Sequence, residues 1–289
     1  MYWRNVKSSD ESADNILDNQ TPQPGLRLLK PRQHRNIIDF ADLVWTKARL
    51  NLKSEANRNY LSYAWWIIEP VAYMVVFYLV FGLLMQRGGQ GFIAYLLTGL
   101  VPFQWFAKTV NQTANSIVAG RGLMNKVRIS PLFFPLVGVV QNLSKQFFLF
   151  IVLFIFLVLY GISPTIHWLA IFPIIIVQLL VIILVSCFIA MLIPFLRDLI
   201  NLVPTGIQFV MFSSGIFFKP EKIPEEWRDL FFINPMANLL HQYRVVFLEA
   251  SWPDWAALFY LTVGTLILLS ITLHFYKIFE GRFARVVLE

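Results

Sequence analysis

The amino-acid sequence predicts an all-α integral membrane protein: six transmembrane helices, an N-terminal interfacial helix, and two short external helices between spans five and six. Three observations predict it. Of 289 residues, 57% are hydrophobic and only 14% are charged, where a water-soluble domain has roughly 25% charged residues. Six mostly apolar stretches are near or above the ~20 residues that a helix needs to cross a bilayer. They are 63–85, 92–111, 132–160, 168–193, 199–218 and 255–276. Finally, Lys and Arg crowd into alternate connections, as the positive-inside bias of membrane proteins requires.

Residues 1–35 are polar, hold Pro22, Pro24 and Gly25, and lack the apolar core of a secretory signal. They are expected to form a disordered cytoplasmic tail. Residues 36–62 are expected to form an amphipathic interfacial helix. Ile37, Phe40, Ala41, Val44, Ala48 and Leu52 recur at helical steps, with Lys47, Arg49 and Lys53 off that stripe. Asn36 suits the N-cap, and Asp39 and Asp42 suit the positive helix start. Two readings of this helix stand: it lies in the inner membrane interface, or it packs on a cytosolic partner.

Residues 63–289 make up the six-span transmembrane domain. Trp65 and Trp66 suit the headgroup layer of span one, and Glu69-Pro70 resembles a helix start. Span three contains Lys145, so it either tilts or stands its first turns in water. An even number of spans places both termini on one side. The connections on that side carry 17 Lys and Arg residues against 5 on the other, so both termini are expected in the cytoplasm and 219–254 outside. That last stretch cannot span. It holds ten charged side chains and Pro220, Pro224, Pro235 and Pro253. Apolar residues nevertheless recur at helical spacing, first Trp227 and Phe231, then Leu239, Leu240, Tyr243, Val246 and Phe247. Two short amphipathic helices broken at Asn234-Pro235 are expected, either re-entrant or interfacial, or folded as a loop on the membrane surface.

The chemistry that is missing narrows the function. No Gly-x-x-x-x-Gly-Lys occurs, so the chain has no phosphate-cradling P-loop. Cys187 is alone, the four histidines are scattered, and no metal or nucleophilic site can be assembled. The net charge of +7 comes from residues flanking apolar spans, not from a basic patch that would read nucleic acid. Glu69, Lys108 and Lys145 fall near the expected inner boundary. Lys145 either snorkels or faces a cavity and meets an anionic headgroup. A bundle with no nucleotide site of its own would take energy from a partner at its cytoplasmic face. The best docking surface is 113–135, part apolar and part basic; a solvated loop is the competing reading.

Several motifs, in order, carry a family resemblance. Tyr60-Leu61-Ser62-Tyr63-Ala64-Trp65 with Glu69-Pro70 opens span one, with Ser62 where glycine is usual. Thr98-Gly99-Leu100-Val101-Pro102-Phe103 lies in span two. Leu123-Met124-Asn125-Lys126-Val127-Arg128 follows, with Pro131 and Pro135. Arg197-Asp198, Asn234-Pro235, Tyr243-Arg244 and Phe279-Glu280-Gly281-Arg282-Phe283-Ala284 complete the set. Together they resemble the permease subunits of type-2 ABC exporters for polysaccharides, the O-antigen, capsule and teichoic acid exporters. The resemblance implies a homodimer in the bacterial inner membrane with two ABC ATPase subunits beneath it. Those partners would bind ATP and Mg, leaving no cofactor and no catalytic residue in this chain. It further implies export of a polyprenyl-linked glycan from the cytoplasmic leaflet. The coupling residues would be Leu123, Lys126 and Arg128, and the external gate Asn234, Pro235, Tyr243 and Arg244. Aromatic faces with polar edges suit sugars, so Trp65, Tyr73, Tyr78 and Trp105, with Lys145, are expected along the translocation path. A permease for a small lipid or drug, and a non-transporting membrane scaffold, are the alternatives.

Overall fold

The structure is a computed structural model that describes residues 37–58, 91–127 and 129–288, with isolated positions between 68 and 80. The expected tail, Asn36, Glu69-Pro70, Trp65, Tyr73, Tyr78 and Arg128 lie outside the described residues. The chain divides into two units, Met1–Phe40 and Ala41–Glu289; every contact below lies in the second.

Among the described residues every regular element is helical: α1 Ile37–Arg58, α2 Phe92–Ala114, α3 Ser116–Ala119, α4 Arg121–Met124, α5 Phe133–Leu159, α6 Ile171–Leu192, α7 Leu199–Ser213, α8 Glu225–Ile233, α9 Pro235–Leu248 and α10 Trp255–Leu288. Among the described residues three helical stretches are long and apolar enough to cross a membrane: Phe133–Leu159, Ile166–Leu192 and Trp255–Phe279. The middle one begins with a 3-10 turn, Ile166–Ala170, that leads into α6.

Helix α2 is the centre of the bundle. It packs against α5, α6, α7 and α9, and Ala94, Leu96, Leu97, Leu100, Phe103 and Val110 are buried in its core faces. The polar residues of its second half, Gln104, Lys108, Asn111 and Gln112, lie away from that core. Pro102 sits inside the helix and removes one N–H from the ladder. Two carbonyls at this level also accept from side chains of neighbouring helices: Gln178 Nε2 donates to the Pro102 carbonyl at 2.7 Å, and Gln146 Nε2 to that of Val101 at 3.5 Å.

Two expectations are changed by the structure. The stretch 199–218 is not one continuous helix. Helix α7 has 15 residues, about 22 Å at 1.5 Å per residue. Ser213 and Ser214 turn their hydroxyls back onto the Val210 carbonyl, at 3.2 and 2.6 Å. Gly215 then takes φ +68°, a conformation that glycine adopts without Cβ strain. The chain folds inwards there and buries Ile216. Nor are α8 and α9 a matched pair. No residue of α8 is buried, and its Glu225, Glu226, Arg228 and Asp229 suit a surface. In α9, nine of fourteen residues are buried, including the expected stripe Leu239, Leu240, Tyr243, Val246 and Phe247. Helix α9 is therefore a core element wedged against α2 and α6.

Candidate translocation path and coupling site

A polar groove runs where α1, α2 and α5 meet. Gln104, Lys108 and Asn111 of α2 are spaced by four and three residues, and Asn142, Lys145, Gln146 and Leu149 of α5 by three, one and three, so each set lies on one helix face. With Glu55 of α1, Gln112 and Trp105 they line a cavity of about 530 Å³. An amide chain continues beyond it. Asn142 Nδ2 donates to Gln112 Oε1 at 2.8 Å, while Gln112 Nε2 and Asn51 Nδ2 both donate to Gln141 Oε1, at 3.5 and 3.3 Å. Gln112 and Gln141 also line a second cavity of about 320 Å³, which reaches Gly120, Gly122 and Leu123.

Lys145 lines this cavity and is paired with a carboxylate. Its Nζ lies 2.6 and 2.7 Å from the two carboxylate oxygens of Glu55, and Glu55 is 90 residues away in sequence. A charge in an otherwise apolar helix is stabilised by an opposite charge brought to it, here by α1. Val44 and Ala48 of the expected stripe, and Ala56, are buried, while Ala41 is exposed. Trp105 departs from the expected role in part. It is 2% exposed and packs edge-on against Phe150, with ring centroids 6.3 Å apart. It touches the groove, and its indole Nε1 has no hydrogen-bond partner.

Below the groove, α3 and α4 bridge α2 to α5. Ile117 is fully buried in a cluster with Cys187, Ala190 and Met191 of α6 and Tyr276 and Phe283 of α10, with Met124 against it. The Tyr276 hydroxyl donates to the Cys187 carbonyl at 2.8 Å and ties α10 to α6 there. Gly120 gives way to the Phe134 ring, where a Cβ would collide. Leu123 is half-buried, and Lys126 and Val127 point outwards. The bridge thus shows a basic, partly apolar outer face, and its inner face touches three long helices.

At the other end of α2 two sequence motifs meet. The Arg244 guanidinium lies over the Tyr95 ring, 3.7 Å from its centroid. Its Nε donates to the Tyr95 carbonyl at 3.3 Å and its Nη2 to the Ile216 carbonyl at 3.5 Å. Gly99 makes the room, because a Cβ there would overlap Nη2. Burial pushes Arg244 down to about 10, with Tyr95 and Glu221 acting the other way, so it stays charged at neutral pH. The neighbouring Tyr243 hydroxyl donates to Gln178 Oε1 at 2.8 Å. Asn234 joins α7 to α9. Its Oδ1 accepts from the Met236 N–H at 3.0 Å as an N-cap, and its Nδ2 donates to Ser214 Oγ at 3.1 Å. Pro235 fills the first helical position, where its missing N–H costs nothing.

Sequence reasoning missed Glu55, Tyr95, Gln112, Gln141, Asn142 and Gln178. Gln178 carried a signal, as a lone amide inside a long apolar run. Among the described residues no group of three or more His, Cys, Asp or Glu is placed to hold a metal ion.

Comparison with known proteins assigns this architecture. The family model described as ABC-2 type transporter matches residues 43–248. The chain belongs to the ABC-2 type transporter family. The matched part runs from α1 to the last residue of α9. This ABC-2 chain is also similar to an O-antigen export system permease protein RfbA from Klebsiella pneumoniae, 26% identical over 254 residues, covering 87% of this chain and 97% of the relative. RfbA from Myxococcus xanthus is 26% identical, covering 81% and 91% respectively. The polysialic acid transport protein KpsM from Escherichia coli is 25% identical, covering 78% and 89%.

Proposed function

We propose that this chain is the transmembrane subunit of an ATP-driven exporter. It moves a lipid-linked polysaccharide, such as an O-antigen, from the cytoplasmic to the outer side of the bacterial inner membrane. The observation that carries the reading is the near full-length similarity to permeases named for O-antigen export and polysialic acid transport. Three features of the chain support it. It has no P-loop, so a permease of this kind draws ATP and Mg chemistry from a partner. The α3–α4 bridge and the turn after it offer half-buried Leu123 and exposed Lys126, with Arg128 beside them in sequence, as a docking surface for an ABC ATPase. A push on that bridge reaches the groove, because the cavity at Gly120 and Gly122 shares Gln112 with the cavity at Trp105 and Lys145. The groove's amides offer donors and acceptors to sugar hydroxyls, each contact weak enough to be exchanged as a chain passes.

In this reading the protein is a six-span homodimer over two ATPase subunits, with Trp65, Tyr73 and Tyr78 joining Trp105 on the path. Both termini are cytoplasmic, and Asn234, Pro235, Tyr243 and Arg244 belong to the outer gate. The test is complementation of a deletion strain, with surface polysaccharide read by immunoblot and the ATPase read by co-purification. Lys126→Glu with Arg128→Glu should abolish surface polysaccharide and ATPase recovery while the protein stays in the membrane. A deletion strain with normal surface polysaccharide would sink the proposal, and would favour export of a small lipid or a scaffold role.

A further inference from the structure

The end of α2 opposite the coupling bridge holds a third cavity, about 730 Å³, walled by Tyr95, Arg244, Lys219, Phe218, His241 and the turn at Gly161. Arg244 is its chemical centre. The side chain is 3% exposed, and among the described residues no carboxylate lies within ion-pair distance of it. A guanidinium has five N–H donors in a planar fork. Two of them are used, on the carbonyls of Tyr95 and Ile216, and the rest have no acceptor among the described residues. Burying a charge with donors to spare is costly, yet the fold prepares the place for it. Gly99 supplies the notch, the Tyr95 ring supplies one wall at 3.7 Å, and the Tyr95 hydroxyl is held at 2.7 Å by the Phe218 carbonyl. Lys219 brings a second cation to the same ring, its Nζ 5.9 Å from the centroid. Two cations thus converge on one open cavity, with Glu221 an opposing charge within electrostatic reach of Arg244. Glu221 and Glu249 stand on the rim, exposed, so the inner end of the cavity is positive and its mouth is mixed.

We propose that this cavity is a binding site for an oxyanion of the transported molecule, a carboxylate or phosphate gripped by the free edge of the Arg244 guanidinium and by Lys219. A planar fork with parallel donors matches such a group bidentately. The inference rests on the polysaccharide-permease reading and adds a requirement, that the cargo carries acid. The acid has two sources: a uronic-type sugar in the chain, or the phosphate that links chain to lipid.

The experiment uses the full chain in lipid nanodiscs, titrated with inorganic pyrophosphate, with glucuronate and with glucose, and followed by thermal unfolding and tryptophan fluorescence. Wild type should bind at least one anion saturably and weaken as salt rises, and glucose should not bind. Pyrophosphate alone assigns the phosphate linkage and glucuronate alone an acidic sugar; binding of both supports the shared chemistry. Arg244→Gln should bind about tenfold more weakly, and Lys219→Gln about threefold, with a smaller salt dependence. Lys219 is exposed and outside any helix, so its variant keeps the test valid if Arg244→Gln does not fold. No saturable anion binding by wild type, equal binding of glucose, or wild-type affinity in Lys219→Gln overturns the proposal. Failure here leaves the export test above untouched. Failure of that test with anion binding intact leaves a site without its assigned cargo.

Discussion

Alanine at Gly99 places a methyl group where the Arg244 guanidinium lies. A Cβ built there overlaps Nη2 and stands 3.2 Å from Cζ. The head of an arginine is normally free to swing aside. Here the Tyr95 ring blocks one side at 3.7 Å and the carbonyls of Tyr95 and Ile216 hold two N–H groups, so the guanidinium must leave rather than shift. It then loses two charged hydrogen bonds, each worth about 1.5–3 kcal/mol. Solvation in the adjoining cavity returns roughly half of that, and alanine gains about 1 kcal/mol over glycine inside a helix. The net expectation is a destabilisation of about 0.5–2 kcal/mol, and it depends on Arg244. In an Arg244→Met background the notch is open to a methyl group, and Gly99→Ala should be neutral or stabilise by about 0.5–1 kcal/mol. The assay is reversible unfolding of the purified chain in mixed micelles, read by tryptophan fluorescence, across the four members of the cycle. An equal cost of Gly99→Ala in both backgrounds refutes the notch.

Further outcomes follow from the same geometry. Asn234→Ala removes the cap on α9 and the link to Ser214, and should lower stability by about 1–2 kcal/mol in the same assay, with Asn234→Asp keeping the cap and part of the loss. Glu55→Lys and Lys145→Glu should each loosen α1, read as faster hydrogen exchange of residues 44–56, and the double exchange of charges should restore protection; an unrestored double variant removes the latch. His241 is pushed below its ordinary 6.5 by burial, with Glu249 pulling the other way. Below pH about 6.5 the unfolded chain takes up a proton that the folded chain refuses, so stability should fall with pH there and be flat above it as far as His241 is concerned. His241→Phe should flatten the acid side of the profile, and an unchanged slope would exclude His241 as its source.

Much of the fold was legible because its signals are local. The long apolar runs of α5, α6 and α10 declare themselves by length, and the break before Pro235 by the restriction that proline puts on Asn234. The stripe of α9 was visible too, but not its destination. Periodicity tells which face is apolar, not whether lipid or protein will cover it. Helix α8 shows a comparable pattern, yet Trp227, Leu230 and Ile233 stay exposed while the stripe of α9 is buried. The candidate site was legible in single residues. Lys145, Trp105, Leu123 and Arg244 could be named, but not their partners.

The sequence by itself determined an apolar, helical chain without a P-loop motif. Those properties follow from composition and from patterns a few residues long. Tertiary structure alone decided that Glu55 meets Lys145, that Gly99 makes room for Arg244, and that Gln178 answers both Tyr243 and the Pro102 carbonyl. Each pairing joins residues from 65 to 145 positions apart. In each, a polar group removed from water must find whatever partner the packing of other helices brings within 3 Å or so, and no spacing along the chain encodes which one that is.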